Sequence, residues 1–335
     1  MKNITKDILL TFDYELFLGK RSGSVNKCLL TPTDKIRALL NKYNLKAIFF
    51  IDTTYLFRLK NEAKKNENCK KNLELIFEQL HQLKQEGHYI YHHIHPHWFD
   101  AIYLPEIDQW DLSNISKYAF SQISLNLRNA VMDFSYSIIN EFEGNHPTGF
   151  RAGGLYIQPF EYFRPFFEKN NIRYEFSVVP DDFSFSKEFS YDFRNFPTEP
   201  YKFKENLAID DKSGDFFEFP ISMFKLNGLS KIMNGLYYRL IENKTNYFDG
   251  NSSSLPIINR TINSRFSMQL PLSIEFLNPM NKYSVLNFIE KKNYVHFLSH
   301  PKLITNMNLT SLNYILEKLC RNNKLNSDFK LVVKK

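Results

Sequence analysis

Short apolar runs of strand length alternate with longer stretches whose apolar residues recur every three or four positions. Ile8–Phe12 (ILLTF) is a continuous apolar run, the pattern of a strand buried on both faces. Ala47–Ile51, His88–His93, Thr148–Arg151, Tyr174–Val179, Phe216–Ile221 and Tyr294–Ser299 read as further strands. Between them, Pro32-Thr33-Asp34 opens a helical pattern that runs to Asn44 with Ile36, Leu39 and Leu40 on one face. Leu73–Gln85 repeats apolar residues at helical spacing until Gly87 stops it. Ser116–Phe142 reads as one or two helices, Glu161–Asn170 as another and Leu309–Cys320 as the closing one. Pro180 to Gly214 reads as a long loop or excursion, and Met223–Lys282 as an insertion or cap.

Strands alternating with helices predict a parallel α/β fold, with the whole chain, 1–335, as a single domain. Periodicity alone does not separate an open sheet from a barrel. The polar clusters do: Asp13–Glu15, Asp52, His93–His97, Arg151, Glu218 and His300 all fall at the C-terminal ends of strands. In a barrel those ends converge on one mouth. An open sheet would call for a phosphate-cradling glycine turn after the first strand, and no such turn is there.

Composition adds exclusions. Of 335 residues 43% are hydrophobic and 24% charged, an ordinary globular balance. The net charge of +7 is spread over lysines diluted by acids, so no nucleic-acid patch is expected. Cys28, Cys69 and Cys320 are odd in number and far apart, which fits a reducing compartment. The start, MKNITKDILLTFDYE, reads as neither signal peptide nor membrane span, and no integral membrane segment is expected elsewhere. A cytoplasmic location follows as an expectation.

Two stretches carry candidate chemistry. In TFDYE, Asp13 and Glu15 stand at i and i+2 past a buried strand, so an extended chain points both to one side. Two carboxylates in one mouth repel unless a cation or an arginine sits between them. In YIYHHIHPHWFD, four of the nine histidines (His92, His93, His95, His97) crowd around Pro96. Neutral imidazole is the commonest protein ligand for metals, and a catalytic Zn²⁺ takes three protein ligands. Spacing permits His93 with His95, His95 with His97, or His93 with His97, and Pro96 rules out a helical ligand motif. His81 and His146 read as satisfied surface or core residues. Trp98 and Tyr14 each suit packing or a sugar-stacking platform. Asp52 reads as a loop cap.

Taken in order, these segments resemble the polysaccharide deacetylases (NodB-homology domains, carbohydrate esterase family 4). TFDYE, KYNLKAIFFID, EGHYIYHHIHPHW, GFRAGG, FFEFPIS and FLSHP are similar to that family's successive motifs. The resemblance implies a distorted (β/α)7 barrel related to the TIM barrel, and Met223–Lys282 adds an insertion or cap in its C-terminal half. It also implies roles. Asp13 falls on the general base, Arg151 on the arginine that holds it, His300 on the general acid, and Glu218 on an acid that orients His300. Glu15, His93 and His97 fall on the metal ligands, which leaves His95 facing substrate and His92 turned into the packing. Two departures stand out: Tyr14 separates the two acids of the first motif, and Gly153 and Gly154 replace a Pro-Tyr, so Tyr14, His95, Trp98, Gly153 and Gly154 are the expected substrate contacts.

The expected activity is metal-dependent removal of an N-acyl group, first of all N-acetyl, from a sugar or glycan precursor. Zinc is the first choice of metal, and cobalt and nickel suit the same donors. Two alternatives keep the barrel: deformylation or ureide and imide hydrolysis, and a silent carbohydrate-binding or assembly protein.

Overall fold

The computed structural model describes residues 6–185, 190–240, 248–252, 259–260, 267–321 and 325–334. Among the described residues, seven parallel strands form the body of the main sheet: β1 (Lys6–Tyr14), β2 (Ile48–Asp52), β3 (Tyr89–Ile94), β4 (Thr148–Ala152), β5 (Ile172–Glu175), β6 (Phe216–Glu218) and β7 (Tyr294–Ser299), to which the short Leu325–Asn326 adds parallel to β1 and Tyr201–Phe203 antiparallel to β6. Their spatial order is β6-β5-β4-β3-β2-β1-β7, a sheet curled into a partly closed barrel. Where β6 and β7 approach, single hydrogen bonds replace a ladder: Ser222 N–H donates to the His296 carbonyl at 3.1 Å, and the Tyr294 hydroxyl to that of Pro220 at 3.0 Å. The distorted seven-stranded barrel expected from the sequence is therefore present, with an open seam.

Strand alternation sorts side chains between lumen and helices. Leu9, Phe50, Tyr91, Phe176, Phe219 and Tyr294 fill the lower lumen, and Phe329 and Val332 of the C-terminal helix Phe329–Val333 close it from below. Gly149 on β4 is small for a reason: a Cβ there would lie 2.6 Å from both the Phe176 and Tyr91 rings. The opposite faces of the strands (Ile8, Leu10, Phe12, Phe49, Ile51, Ile90) join the helix residues Ile36, Leu40, Leu59, Leu80 and Leu83 in the largest core cluster.

Four helices matter to the site: α1 (Thr31–Lys42), α2 (Thr53–Glu62), α3 (Glu67–Gln85) and α4 (Leu125–Glu143). Helix α2 has no counterpart among the expected elements. Asp52 starts it at the end of β2, its Oδ1 accepting the Tyr55 N–H at 3.1 Å. Helix α4 begins later than expected because Ser124 is its N-cap and the chain before it is a loop with one short turn. Strand β5 also lies earlier than Tyr174–Val179. Ser177 turns back on Glu175, its N–H and hydroxyl donating to that carboxylate at 2.8 and 2.5 Å, and this ends the strand.

The expected insertion falls partly on residues outside the described set. Within it, Met223–Asn227 pairs antiparallel with Ser267–Pro271, and the helix Gly228–Leu240 follows the first of these strands. Among the described residues no helix is long and apolar enough to cross a membrane.

Candidate active site

Strand register brings one set of polar side chains to the C-terminal mouth. On β1, Thr11 and Asp13, with Glu15 just beyond the strand, share the lumenal side by alternation, and all three are buried. Tyr14, between the acids, points outward: its hydroxyl donates to Gln79 Oε1 of α3 at 2.9 Å, and burial pushes its ionisation far up. Tyr14 thus packs toward α3, with its hydroxyl turned away from the mouth.

Arg151 at the end of β4 is the hub. Its NH1 donates to Asp13 Oδ1 at 2.5 Å, its NH2 to Thr11 Oγ1 at 2.8 Å and its Nε to the Phe176 carbonyl at 3.0 Å. The guanidinium lies 4.2 Å over the Phe50 ring, at the boundary between the aromatic floor and the polar mouth. NH2 also meets His296 Nε2 at 2.9 Å, while His296 Nδ1 faces the Phe219 carbonyl at 2.9 Å. Nδ1 therefore carries the His296 proton and Nε2 accepts from the arginine. Burial would raise the Asp13 pKa, but Arg151, His93 and His300 outweigh it, and the carboxyl stays below its ordinary range. With Oδ1 engaged, Asp13 Oδ2 is left facing His300 Nε2 at 3.6 Å and His93 Nε2 at 3.9 Å.

Glu15, His93 and His95 form the group whose donor atoms could share one metal ion. Glu15 Oε2 lies 2.5 Å from His95 Nε2 and 3.2 Å from His93 Nε2, and the two Nε2 atoms are 2.9 Å apart. The sequence expectation paired His93 with His97, with His95 facing substrate; in the structure it is the His95 ring that meets His93 and Glu15. The reason is local. His95 keeps an extended backbone after β3, so residues 93 and 95 point the same way, and Pro96 then opens a single turn, Pro96–Phe99. That turn carries His97 behind His95, Nδ1 to Nδ1 at 3.4 Å, with its ring edge-on to Tyr118. Burial drives the His97 pKa down to about 3, so the ring is neutral.

The donor set fits a divalent transition metal. His93 Nδ1 lies 2.8 Å from the Arg151 carbonyl and donates to it, which leaves Nε2 as the atom that could bind a metal in place of a proton. A tetrahedral Zn²⁺ with bonds of about 2.0–2.1 Å sets its ligand atoms roughly 3.3 Å apart, so the three need to spread by less than about 1 Å. The two carboxylates also favour positive charge at His93. Burial alone would depress His93, yet Asp13 and Glu15 raise its pKa to about 9. His92 points the other way, Nδ1 to Ser135 Oγ of α4 at 2.8 Å.

His300 completes the mouth from β7. Its Nδ1 lies 2.9 Å from Glu275 Oε1, which leaves Nε2 toward Asp13 and Glu15. Glu218, expected beside His300, is elsewhere. It is fully buried, its Oε1 accepts the Val178 N–H at 3.3 Å, and the Glu175 carboxyl lies beside it. The two glutamates stand directly opposite in the β6–β5 register, so one lies against the other and away from the mouth.

Of the remaining expected contacts, Trp98 and Gly153 pack inside the scaffold. Trp98 is fully buried between Tyr55 and Trp110, and its Nε1–H donates to Asp52 Oδ2 at 2.5 Å. A Cβ on Gly153 would lie 2.6 Å from His95 Nδ1 and 2.4 Å from the Ile94 carbonyl, so this glycine makes room for His95. Gly154, with φ of +63°, is exposed at the rim, against the Tyr156 ring. Sequence reasoning missed Glu275, His296 and Lys302. Lys302 is buried, and its Nζ donates to Glu15 Oε1 and to the Leu16 carbonyl, both at 2.7 Å. Its signal was its place two residues after His300; Glu275 had none.

A curled parallel barrel with carboxylates, histidines and a buried arginine at its C-terminal mouth defines a class of α/β fold, and solved structures show which. A protein solved as a candidate polysaccharide deacetylase from Mycobacterium smegmatis aligns with 100% of this chain and 91% of its own, at a TM-score of 0.52 and 12% identity. Alignments also cover 97% of this chain with Puue allantoinase (88% of that chain, TM-score 0.48, 10% identity) and 95% with a candidate deacetylase from Pseudomonas aeruginosa PAO1 (85%, 0.47, 10%). The fold is that of the polysaccharide deacetylases. No family model and no curated protein matches the sequence.

Proposed function

We propose that the chain is a metal-dependent amide hydrolase that removes an N-acyl group, first of all N-acetyl, from a sugar or glycan precursor. One observation carries this reading: Glu15, His93 and His95 converge beside an arginine-held Asp13 and a carboxylate-paired His300. Glu15, His93 and His95 would hold the metal, with zinc the first choice and cobalt or nickel suited to the same donors. Such an ion acidifies water and polarises an acyl carbonyl.

The chain's own groups divide the proton work. Asp13 Oδ2 takes the proton of the attacking water as general base, and Arg151 keeps Asp13 ionised and fixed. The water oxygen bonds to the acyl carbon, and the C–N bond breaks. His300, Nδ1–H held by Glu275, delivers a proton from Nε2 to the departing amine, which would otherwise leave poorly. Burial pushes the His300 pKa down, but Glu275, Asp13 and Glu15 outweigh it and the net shift is upward, which suits an acid. Lys302 offsets the excess negative charge of Glu15.

The test is amine release from N-acetylated and N-formylated sugars, free, nucleotide-linked and lipid-linked, with and without added Zn²⁺, Co²⁺ or Ni²⁺. Release that a chelator stops and metal restores is the expected result. Metal-loaded protein that releases no amine from any of them would sink the proposal.

A further inference from the structure

We propose that Asn234, on the helix Gly228–Leu240 of the excursion between β6 and β7, is a positioning residue: it holds the turn that presents Glu275 to His300. The inference rests on the hydrolase reading above and assigns the excursion a part in that site. Glu275 lies in a stretch of turn and coil between Pro271 and Lys282, where no ladder or helix orients it. Apart from the Leu277 N–H bond to the Ile274 carbonyl at 2.9 Å and the Ile274 N–H bond to Ser299 Oγ at 2.9 Å, side chains that grip the turn set its position.

Asparagines on three sides do this. Asn234 Oδ1 accepts N–H bonds from Asn278 Nδ2 at 2.6 Å and Asn281 Nδ2 at 3.0 Å, using both its lone pairs. The same two amides donate to the Phe276 carbonyl, at 3.3 and 2.7 Å, the peptide next to Glu275. Asn281 Oδ1 accepts the Asn278 N–H at 2.9 Å, and Asn278 Oδ1 accepts the Met280 N–H at 2.9 Å, which closes the turn on itself. From the helix Asn306–Cys320, Asn308 Nδ2 donates to the Leu277 carbonyl at 2.7 Å and to that of Glu275 at 3.2 Å. The carbonyls of three successive residues, 275 to 277, are thus held by side-chain amides. All four asparagines are buried, Asn234 at 3% exposure and the others at 1% or less.

Burying four amides is costly unless each is spent on a bond. Here the bonds converge on the one turn whose carboxylate reaches the mouth. Asn234 is the outermost member and the one contributed by the excursion helix, whose Ile232, Met233 and Leu236 lie on its exposed side. Without its Oδ1, the Nδ2 groups of Asn278 and Asn281 lose a shared acceptor, and the turn can relax away from His300.

The expected result is that Asn234→Ala lowers kcat about 10-fold, with KM and bound metal unchanged within about 2-fold. Asn234→Asp, which keeps an oxygen in that place, recovers most of the rate. In a Glu275→Gln background, Asn234→Ala adds no further loss, because both changes act on one contact. Equal losses in Ala and Asp variants, a rise in KM alone, or an undiminished loss in the Glu275→Gln background would overturn the inference. Asn308→Ser, which loosens the same turn from its other side, repeats the test if Asn234→Ala does not fold. Should the wild type release no amine at all, the hydrolase reading fails and the clasp is judged by proton NMR. The low-field Nδ1–H resonance of His300, assigned by its loss in His300→Gln, is expected in the wild type and Asn234→Asp but exchange-broadened in Asn234→Ala. An unchanged resonance in Asn234→Ala overturns the clasp.

Discussion

The two flanks of the mouth are built by different means. On one flank Asp13, Glu15, His93, His95 and Arg151 project from the ends of β1, β3 and β4, at most 7% exposed, and backbone alternation decides where each points. On the other, His300 and Glu275 are 24% and 18% exposed and meet through side-chain hydrogen bonds between a strand end and a turn. The first flank is oriented before any side chain chooses a partner. The second depends on partners far along the chain, and it is the more open to an incoming substrate. In the proposed reaction the first, rigid flank would hold the metal and the base, and the second, adjustable flank would supply the proton donor.

The comparison breaks most sharply at Asp13. Asp13→Asn is expected to lower kcat about 10³-fold, within the range of general-base losses, while elemental analysis finds bound metal unchanged. A variant that hydrolyses at the wild-type rate removes the base from the rigid flank.

His95 and His97 decide how that flank holds its ion. His95→Ala is expected to lose stoichiometric metal, whereas His97→Ala keeps it at saturation with affinity weakened roughly 10- to 100-fold, as for a group behind a ligand. The reverse outcome in metal titrations would restore His93 with His97 as the pair.

On the adjustable flank, Glu275→Gln is expected to lower kcat about 10-fold and to move the alkaline limb of the pH–rate profile to lower pH. As the proposed acid, His300 would act protonated; its pKa lies above the ordinary value, so activity is expected to fall as pH rises through it. Removing the carboxylate removes part of the upward shift. Glu218→Gln, whose carboxyl faces Glu175, should leave that limb in place.

The smallest effect concerns Glu218 and stability. Burial and the Glu175 carboxyl raise its folded pKa well above the unfolded value. Stability from this group is full below the unfolded pKa and is lost as pH rises toward the folded one, by at most about 1.4 kcal/mol per pH unit for one proton. Urea midpoints of the wild type should therefore fall as pH rises above about 4.5, the ordinary glutamate value, and Glu218→Gln should flatten that fall. Parallel curves would show that Glu218 is ionised in the fold.

Much of the rigid flank was legible because strand spacing is a local property. The apolar runs mark β1, β2, β3 and β7, and i, i+2 acids after a buried strand share a side wherever the sheet goes. The choice between His95 and His97 was not legible in the same way. Pro96 announces a bend, but its direction depends on Thr54, Tyr118 and Gly153, which pack around the turn from distant segments. Glu218 and Glu275 differ by the same logic: one ends a strand and looked placed, yet its neighbour across the ladder is Glu175, and the other sits in a turn with no pattern. Tyr14 and Trp98, both aromatic at the mouth's sequence positions, face helices because alternation and burial send them there.

By itself the sequence determined the alternation of strands and helices, the mouth at the strand ends, and the pairing of an acidic strand end with a histidine-rich one. These are encoded by periods of two and of three to four residues within single segments. Only the tertiary structure decided that His95 joins Glu15 and His93, that Lys302 pairs with Glu15 and His296 accepts from Arg151, and that Glu275 reaches His300. Each of those contacts joins groups that chain proximity does not orient, and their geometry follows from packing and from the need to satisfy buried charge.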